Sequence, residues 1–308
     1  MESFIKVNGV SLCVETFGEP GDAPVLLVGN TMLTWPDDLC GRLAALRRFV
    51  VRYDLRGTGR SAGAGLTNGP GSSVGLSGDA DARSAGGSGD GEWTLRDLVS
   101  DAAQVLDAHG LAAAHVVGFG TGGWIAQLLA LDHPERVATL TLIATRPTAP
   151  GPNDSDLPEH APELMARFMD RPAVDWTDRA SVVGFMVENA RHMAGAGFDE
   201  AEARANIERI HDRTEVFGDP GEAHRADQMG ALFAALDCGP RWRERLGSVA
   251  APTLVVHGED DPFFPLGNGR ALAAEIPRAE LLVLPGTGSE IPRRTWDVLV
   301  PALLRHTS

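Results

Sequence analysis

The stretch Gly118-Phe119-Gly120-Thr121-Gly122-Gly123 is where this sequence is best equipped for chemistry. The apolar run before it, from Ala114 to Val117, is too short for a helix, whereas Ile125, Leu128, Leu129 and Leu131 recur at helical spacing after it. A strand therefore meets a helix through a sharp turn. Glycines let backbones pass closely there and let the central residue take a left-handed conformation. Backbone amides at the head of the following helix favour negative charge, so such a turn suits a carbonyl oxygen that gains charge. The centre of the turn, Gly120, has no side chain and cannot attack.

The elements that must position this turn follow in order. Phe4 to Val7 and Val10 to Phe17 alternate around Asn8-Gly9, which predicts a hairpin. Pro24 to Gly29 and Arg48 to Asp54 read as strands flanking a helix from Trp35 to Leu46. Thr94 is an N-cap for an amphipathic helix ending near Gly110. Val137 to Ala144, Pro252 to His257 and Leu281 to Leu284 are further strands, with helices around Ala271 to Ile276 and from Trp296 through Leu303. No strand pattern occurs from Thr145 to Pro240, where helical segments predict an inserted cap. The implied organisation is a core of residues 1–147 and 241–308 and a cap of 148–240. Residues 62–91 are Gly, Ser, Ala and Asp with almost no large apolar residue, and are expected to be a disordered insertion. Alternating strands and helices imply an α/β fold, with a mostly parallel sheet covered on both faces. Ligands in such sheets bind at the carboxyl ends of the strands, and that is where the turn lies.

A chain of 308 residues, 43% hydrophobic, is long enough for a large core. No apolar run reaches the roughly 18 residues of a membrane span, and no signal peptide is visible at Met1 to Lys6. A cytoplasmic location is the expectation. The formal charge of −15 argues against nucleic acid and anionic membranes as partners. Cys13, Cys40 and Cys238 sit among apolar residues and read as free thiols. No cluster has metal-ligand spacing, and no dinucleotide fingerprint follows a strand, so the chain reads as cofactor-free.

The glycine turn, Tyr53-Asp54-Leu55-Arg56-Gly57-Thr58-Gly59-Arg60-Ser61, His257-Gly258-Glu259-Asp260-Asp261-Pro262 and Pro285-Gly286-Thr287-Gly288-Ser289-Glu290 together resemble the α/β-hydrolase superfamily. Trp35-Pro36-Asp37-Asp38-Leu39 and Arg52-Tyr53-Asp54 are most similar to the aclacinomycin methylesterase type, actinobacterial enzymes acting on anthracycline polyketides. The resemblance implies the α/β-hydrolase fold and a triad whose nucleophile position is Gly120, whose acid is Asp261 and whose histidine position is Ser289. Two of the three groups are thereby replaced. It also implies an oxyanion hole made by the backbone N–H of Thr121 and a second one from Asn30 or Thr31.

Losing triad members removes up to about a millionfold in rate, so covalent serine catalysis is not the expected activity. A carboxylate beside an oxyanion hole can still polarise a carbonyl and move a proton. Catalytic candidates are thus Asp261, Thr121, Gly120 and Ser289, with Asn30, Thr31, Phe119, Trp124, His192 and His224 as substrate-binding candidates. His192 and His224 read either as bases reaching the cleft from the cap or as surface and structural histidines. His257 reads as structural, and Glu290 as a group that can reach the space of the missing imidazole. Phe119, Trp124, Met165, Phe168, Phe185, Met186 and Phe263 either line a pocket for a large flat substrate or pack the core. Three functions stand: a lyase, cyclase or isomerase acting on an apolar, polyketide-like carbonyl compound; a pseudoenzyme that binds a small molecule or partner; and a weak esterase that activates water through Asp261.

Overall fold

A computed structural model describes residues 2–61, 93–150, 154–170, 173–216, 218–230, 233 and 236–308. The expected insertion at 62–91 lies outside the described residues. The hairpin at Asn8-Gly9 joins strands β1 (Ser3–Val7) and β2 (Val10–Phe17), with both turn residues at positive φ, 47° and 77°. That pairing of signs matches the right-handed twist of the strands it links. Then come β3 (Ala23–Val28), α1 (Asp37–Ala45), β4 (Arg48–Tyr53) and α2 (Leu95–Ala108). Helix α2 starts on a capping box, in which Thr94 accepts from the Asp97 amide while Asp97 accepts from the Thr94 amide. After them follow β5 (Ala114–Phe119), α3 (Gly122–Asp132) and β6 (Val137–Ile143).

Between β6 and the next strand the described residues include the helices α4 (Pro162–Met169), α5 (Arg179–Met193), α6 (Glu200–Arg213) and α7 (Pro220–Met229). The chain closes with β7 (Thr253–Gly258), α8 (Gly267–Glu275), β8 (Glu280–Leu284) and α9 (Trp296–His306).

The eight strands form one sheet in the order β1-β2-β4-β3-β5-β6-β7-β8, antiparallel at β1-β2-β4 and parallel from β4 to β8. Each face carries its own apolar core. Leu98, Val105, Ile125, Leu129 and Leu272 from α2, α3 and α8 cover one side, and Leu39, Leu43, Trp296 and Leu299 from α1 and α9 cover the other. Burial on both faces explains why β3 reads as an unbroken apolar run, and why β5 and β6 are largely apolar despite His115, Thr139 and Thr141. A smaller cluster of Val182, Val183, Met186, Val187 and Ile207 holds α5 to α6. The strand order reverses direction between β3 and β5, which places the loops after both at the edge where doubly wound sheets bind ligands. Among the described residues no helix is long and apolar enough to cross a membrane. Cys13, Cys40 and Cys238 are free.

Candidate active site

The turn after β5 is built by glycines that nothing larger could replace. A Cβ on Gly122 would stand 2.3 Å from the Val28 carbonyl oxygen, and one on Gly118 2.6 Å from the Gly122 carbonyl oxygen. Strand β3, the turn and the start of α3 are therefore in backbone contact. Gly120 differs. Its φ is +57°, and a Cβ on it would meet nothing within 4 Å. The backbone holds the left-handed conformation that presents a side chain outward, and open space stands where that side chain would be. The Gly120 N–H donates to the Ile143 carbonyl at 2.9 Å, so its amide faces β6. Gly120 and Thr121 are half-buried, hence accessible from the carboxyl edge of the sheet.

Asn30 meets this turn from the end of β3. The Thr121 hydroxyl donates to Asn30 Oδ1 at 2.6 Å. The Asn30 backbone N–H, one of the two expected sources of a second oxyanion donor, donates to Thr34 Oγ1 at 3.2 Å, which is its one partner among the described residues. Thr34 can reach it because Gly29 has no side chain: a Cβ there would lie 2.5 Å from the Thr34 Cβ. Thr31 caps the 3₁₀ turn Met32–Thr34 and is buried, and its hydroxyl has no partner among the described residues.

Asp261 follows β7 and is buried. Its Oδ1 accepts from the amides of Phe263 at 2.9 Å and Phe264 at 2.8 Å, and from the Ser289 hydroxyl. Its Oδ2 lies 3.5 Å from Nε2 of His257, which itself donates to the Phe264 carbonyl at 2.6 Å. Burial raises the proton affinity of the Asp261 carboxyl, and the nearby His257, the Ser289 hydroxyl and the two amides offset part of that rise. Ser289 itself is half-buried and is anchored by its N–H to the Met193 carbonyl at 2.8 Å.

The other candidates have partners of their own. The Trp124 ring is in the core, 5.6 Å from Phe233 and 6.1 Å from Phe264 between centroids. Phe119 stays half-buried at the strand end, edge-on to Trp35. His192 is exposed on α5 and pairs with Glu188 at 3.1 Å. His224 is buried against His211, rings 4.4 Å apart and nearly parallel, and burial, with the neighbouring His211, pushes it down to about 4. Glu290, expected to reach toward the histidine position implied by the resemblance, instead accepts from the Gly195 amide at 3.2 Å and from Arg294 at 2.6 Å. Met186 belongs to the α5–α6 cluster, with Phe185 packed against it.

Several neighbours of the site have no local sequence signal. Asp54, at the end of β4, accepts from the Met32 amide at 2.9 Å and pairs with Arg213 of α6 at 2.6 Å. Asp227 of α7 accepts from the Gly59 amide and the Thr214 hydroxyl, both at 2.8 Å. These buried carboxylates fasten the inserted helices to the loops after β3 and β4. His160, whose Nδ1 bonds the Phe263 carbonyl, stacks 4.6 Å from the Phe263 ring. A polar cavity of about 650 Å³ lies between α6 and Arg60 and Glu2, and no residue of the glycine turn after β5, the elbow, lines it.

The fold has counterparts in known proteins. A family model described as alpha/beta hydrolase fold matches residues 29–291. The chain belongs to the alpha/beta hydrolase family. It is 30% identical to rhodomycin D methylesterase DauP of Streptomyces sp. (strain C5), over 98% of this chain and 97% of that protein. Rhodomycin D methylesterase DnrP of Streptomyces peucetius is 30% identical over the same shares of the two chains. A putative carbamate hydrolase, RutD of Variovorax paradoxus, is 28% identical over 87% of this chain and 86% of its own. Among solved structures, 2-hydroxy-6-oxo-6-phenylhexa-2,4-dienoate hydrolase (BphD) of Rhodococcus sp. strain RHA1 superposes with a TM-score of 0.68 at 21% identity, covering 99% and 98% of the two chains. The resemblance to the anthracycline methylesterase type is thus borne out for this alpha/beta hydrolase.

Proposed function

We propose that this alpha/beta hydrolase is a non-hydrolytic enzyme, a lyase, cyclase or isomerase, that polarises an apolar carbonyl compound and relays a proton. The observation that carries this reading is the Ser289–Asp261 hydrogen bond in a chain whose Gly120, at the centre of the turn after β5, faces open space. A hydroxyl in the place of an imidazole cannot store an extra proton near neutral pH, but it can pass one on. As Ser289 Oγ takes a proton from the carbon next to a substrate carbonyl, its own proton moves to Asp261 Oδ1, whose proton affinity burial has raised. The resulting enolate oxygen lies at the Thr121 amide. Return of the proton to another position gives isomerisation, and attack of the enolate on a second carbonyl gives cyclisation. Relatives named as rhodomycin D methylesterases favour an aromatic polyketide-like substrate.

One observation favours a binding protein without turnover: the Asn30 backbone donor is already occupied by Thr34. Water activation by Asp261, the esterase alternative, is opposed by the burial of that carboxylate, 3% exposed. The test is exchange of the α-protons of an aromatic β-keto ester in deuterated water, followed by NMR. Accelerated exchange that Asp261→Asn and Ser289→Ala both abolish supports the enzyme. Exchange no faster than buffer favours the binding protein, and labelling by a fluorophosphonate would revive the esterase.

A further inference from the structure

We propose that the Asn30 side-chain carboxamide, rather than the Asn30 backbone, is the second donor to an oxyanion at the elbow. The ligand class is the enolate or phenolate form of an apolar carbonyl compound. This rests on the reading above that the elbow holds a carbonyl oxygen.

The backbone N–H of Asn30 is turned to Thr34 Oγ1 at 3.2 Å. The carboxamide is instead what the end of β3 presents to Thr121. The Thr121 hydroxyl donates to Oδ1 at 2.6 Å, which sets the amide's orientation and leaves both Nδ2 protons for another acceptor. The residue is held from other sides as well. Thr58 Oγ1 donates to the Asn30 carbonyl at 2.8 Å. Gly230, at the end of α7, lies against the carboxamide, and a Cβ there would stand 3.1 Å from both Nδ2 and Oδ1. A rigid, half-buried amide beside an elbow with open space at Gly120 is a preorganised donor of the kind that stabilises developing charge. Both donors are neutral. That suits a single delocalised oxyanion better than a carboxylate or phosphate, whose recognition draws on charged donors. Thr121 therefore has two functions: its amide touches the ligand and its hydroxyl positions Asn30.

The experiment titrates the full-length protein with substituted 2-naphthols above and below their pKa, reading bound naphtholate by absorbance. Wild type is expected to bind the anion in preference to the neutral naphthol. Asn30→Ala should lower naphtholate affinity about tenfold, and Asn30→Asp, which keeps the acceptor for Thr121 but loses the donor, by about 10- to 100-fold. Neutral naphthol should bind all variants alike, a pattern that a merely structural role for Asn30 would not produce. Thr121→Val should weaken the anion as Asn30→Ala does, and Thr121→Ser should restore most of it. If Asn30→Ala does not fold, Asn30→Asp and the Thr121 pair carry the test. Naphtholate binding that ignores these substitutions overturns the inference and leaves the elbow reading standing. No preference for the anion in wild type overturns both. Binding that depends on Asn30 without any proton exchange in the β-keto ester supports the inference and overturns the catalytic reading.

Discussion

The double variant Gly120→Ser/Ser289→His asks whether the elbow is still geometrically a nucleophile site. At Gly120 the space is already present, since a Cβ meets nothing within 4 Å. The cost is conformational: φ is +57°, and a residue with a Cβ pays about 1–2 kcal/mol there, a fall of a few degrees in Tm. Ser289→His places an imidazole at the position hydrogen-bonded to Asp261, supplying a base oriented by a carboxylate. A positioned general base contributes about 10²–10⁴-fold. Gly120→Ser alone should therefore react slowly with a fluorophosphonate, the double variant at least about 100-fold faster, and Ser289→His alone not at all. Intact-mass measurement of the adduct gives the rates, and 4-nitrophenyl acetate hydrolysis gives turnover. A double variant that melts within a few degrees of wild type yet forms no adduct would refute the reasoning, because space, backbone conformation and acid would all be present without producing a nucleophile.

Gly122→Ala should cost about 3 kcal/mol or more, because its Cβ would press on the Val28 carbonyl at 2.3 Å, whereas Gly184→Ala, in α5 with nothing within 4 Å, should stabilise by about 1 kcal/mol; urea unfolding checks both, and similar effects at the two sites would be inconsistent with the packing. Arg213→Met leaves Asp54 buried without its cation and should cost about 3–5 kcal/mol; a loss under about 1 kcal/mol in the same assay would show that the pair contributes little. Burial raises the Asp227 carboxyl to about 7, well above the roughly 3.9 of an unfolded aspartate. The folded state thus keeps a proton that the unfolded chain has lost, and Asp227 removes stability progressively as pH rises from about 4 to about 7. Asp227→Asn should therefore raise Tm at pH 8, by a few kcal/mol of stability, and leave it unchanged near pH 4. An equal shift in Tm at both pH values would count against this titration.

Much of the fold was legible because its signals are local. Asn8-Gly9 needs only two residues to set a hairpin, Thr94 and Asp97 cap α2 within one turn, and the apolar run of β3 announces burial on both faces. The helices α4 to α7 were expected from the lack of any strand pattern after β6. The site was less legible. His192 and His224 carry the right chemistry, but one faces solvent beside Glu188 and the other packs against His211. Trp124 follows the elbow directly, yet its position on α3 turns it into the core.

The sequence by itself determined that glycines build the turn after β5 and that Gly120 at its centre carries no side chain, since both are properties of the chain. Only the tertiary structure decided which partner each remaining polar group takes. Thr121 meets Asn30 across 91 residues, and Ser289 meets Asp261 across 28. Thr34 takes the Asn30 amide, although it is only four residues away, because Gly29 gives its side chain room. Hydrogen-bond partners are chosen by distance and angle, and those are settled where distant segments come together at the carboxyl edge of the sheet.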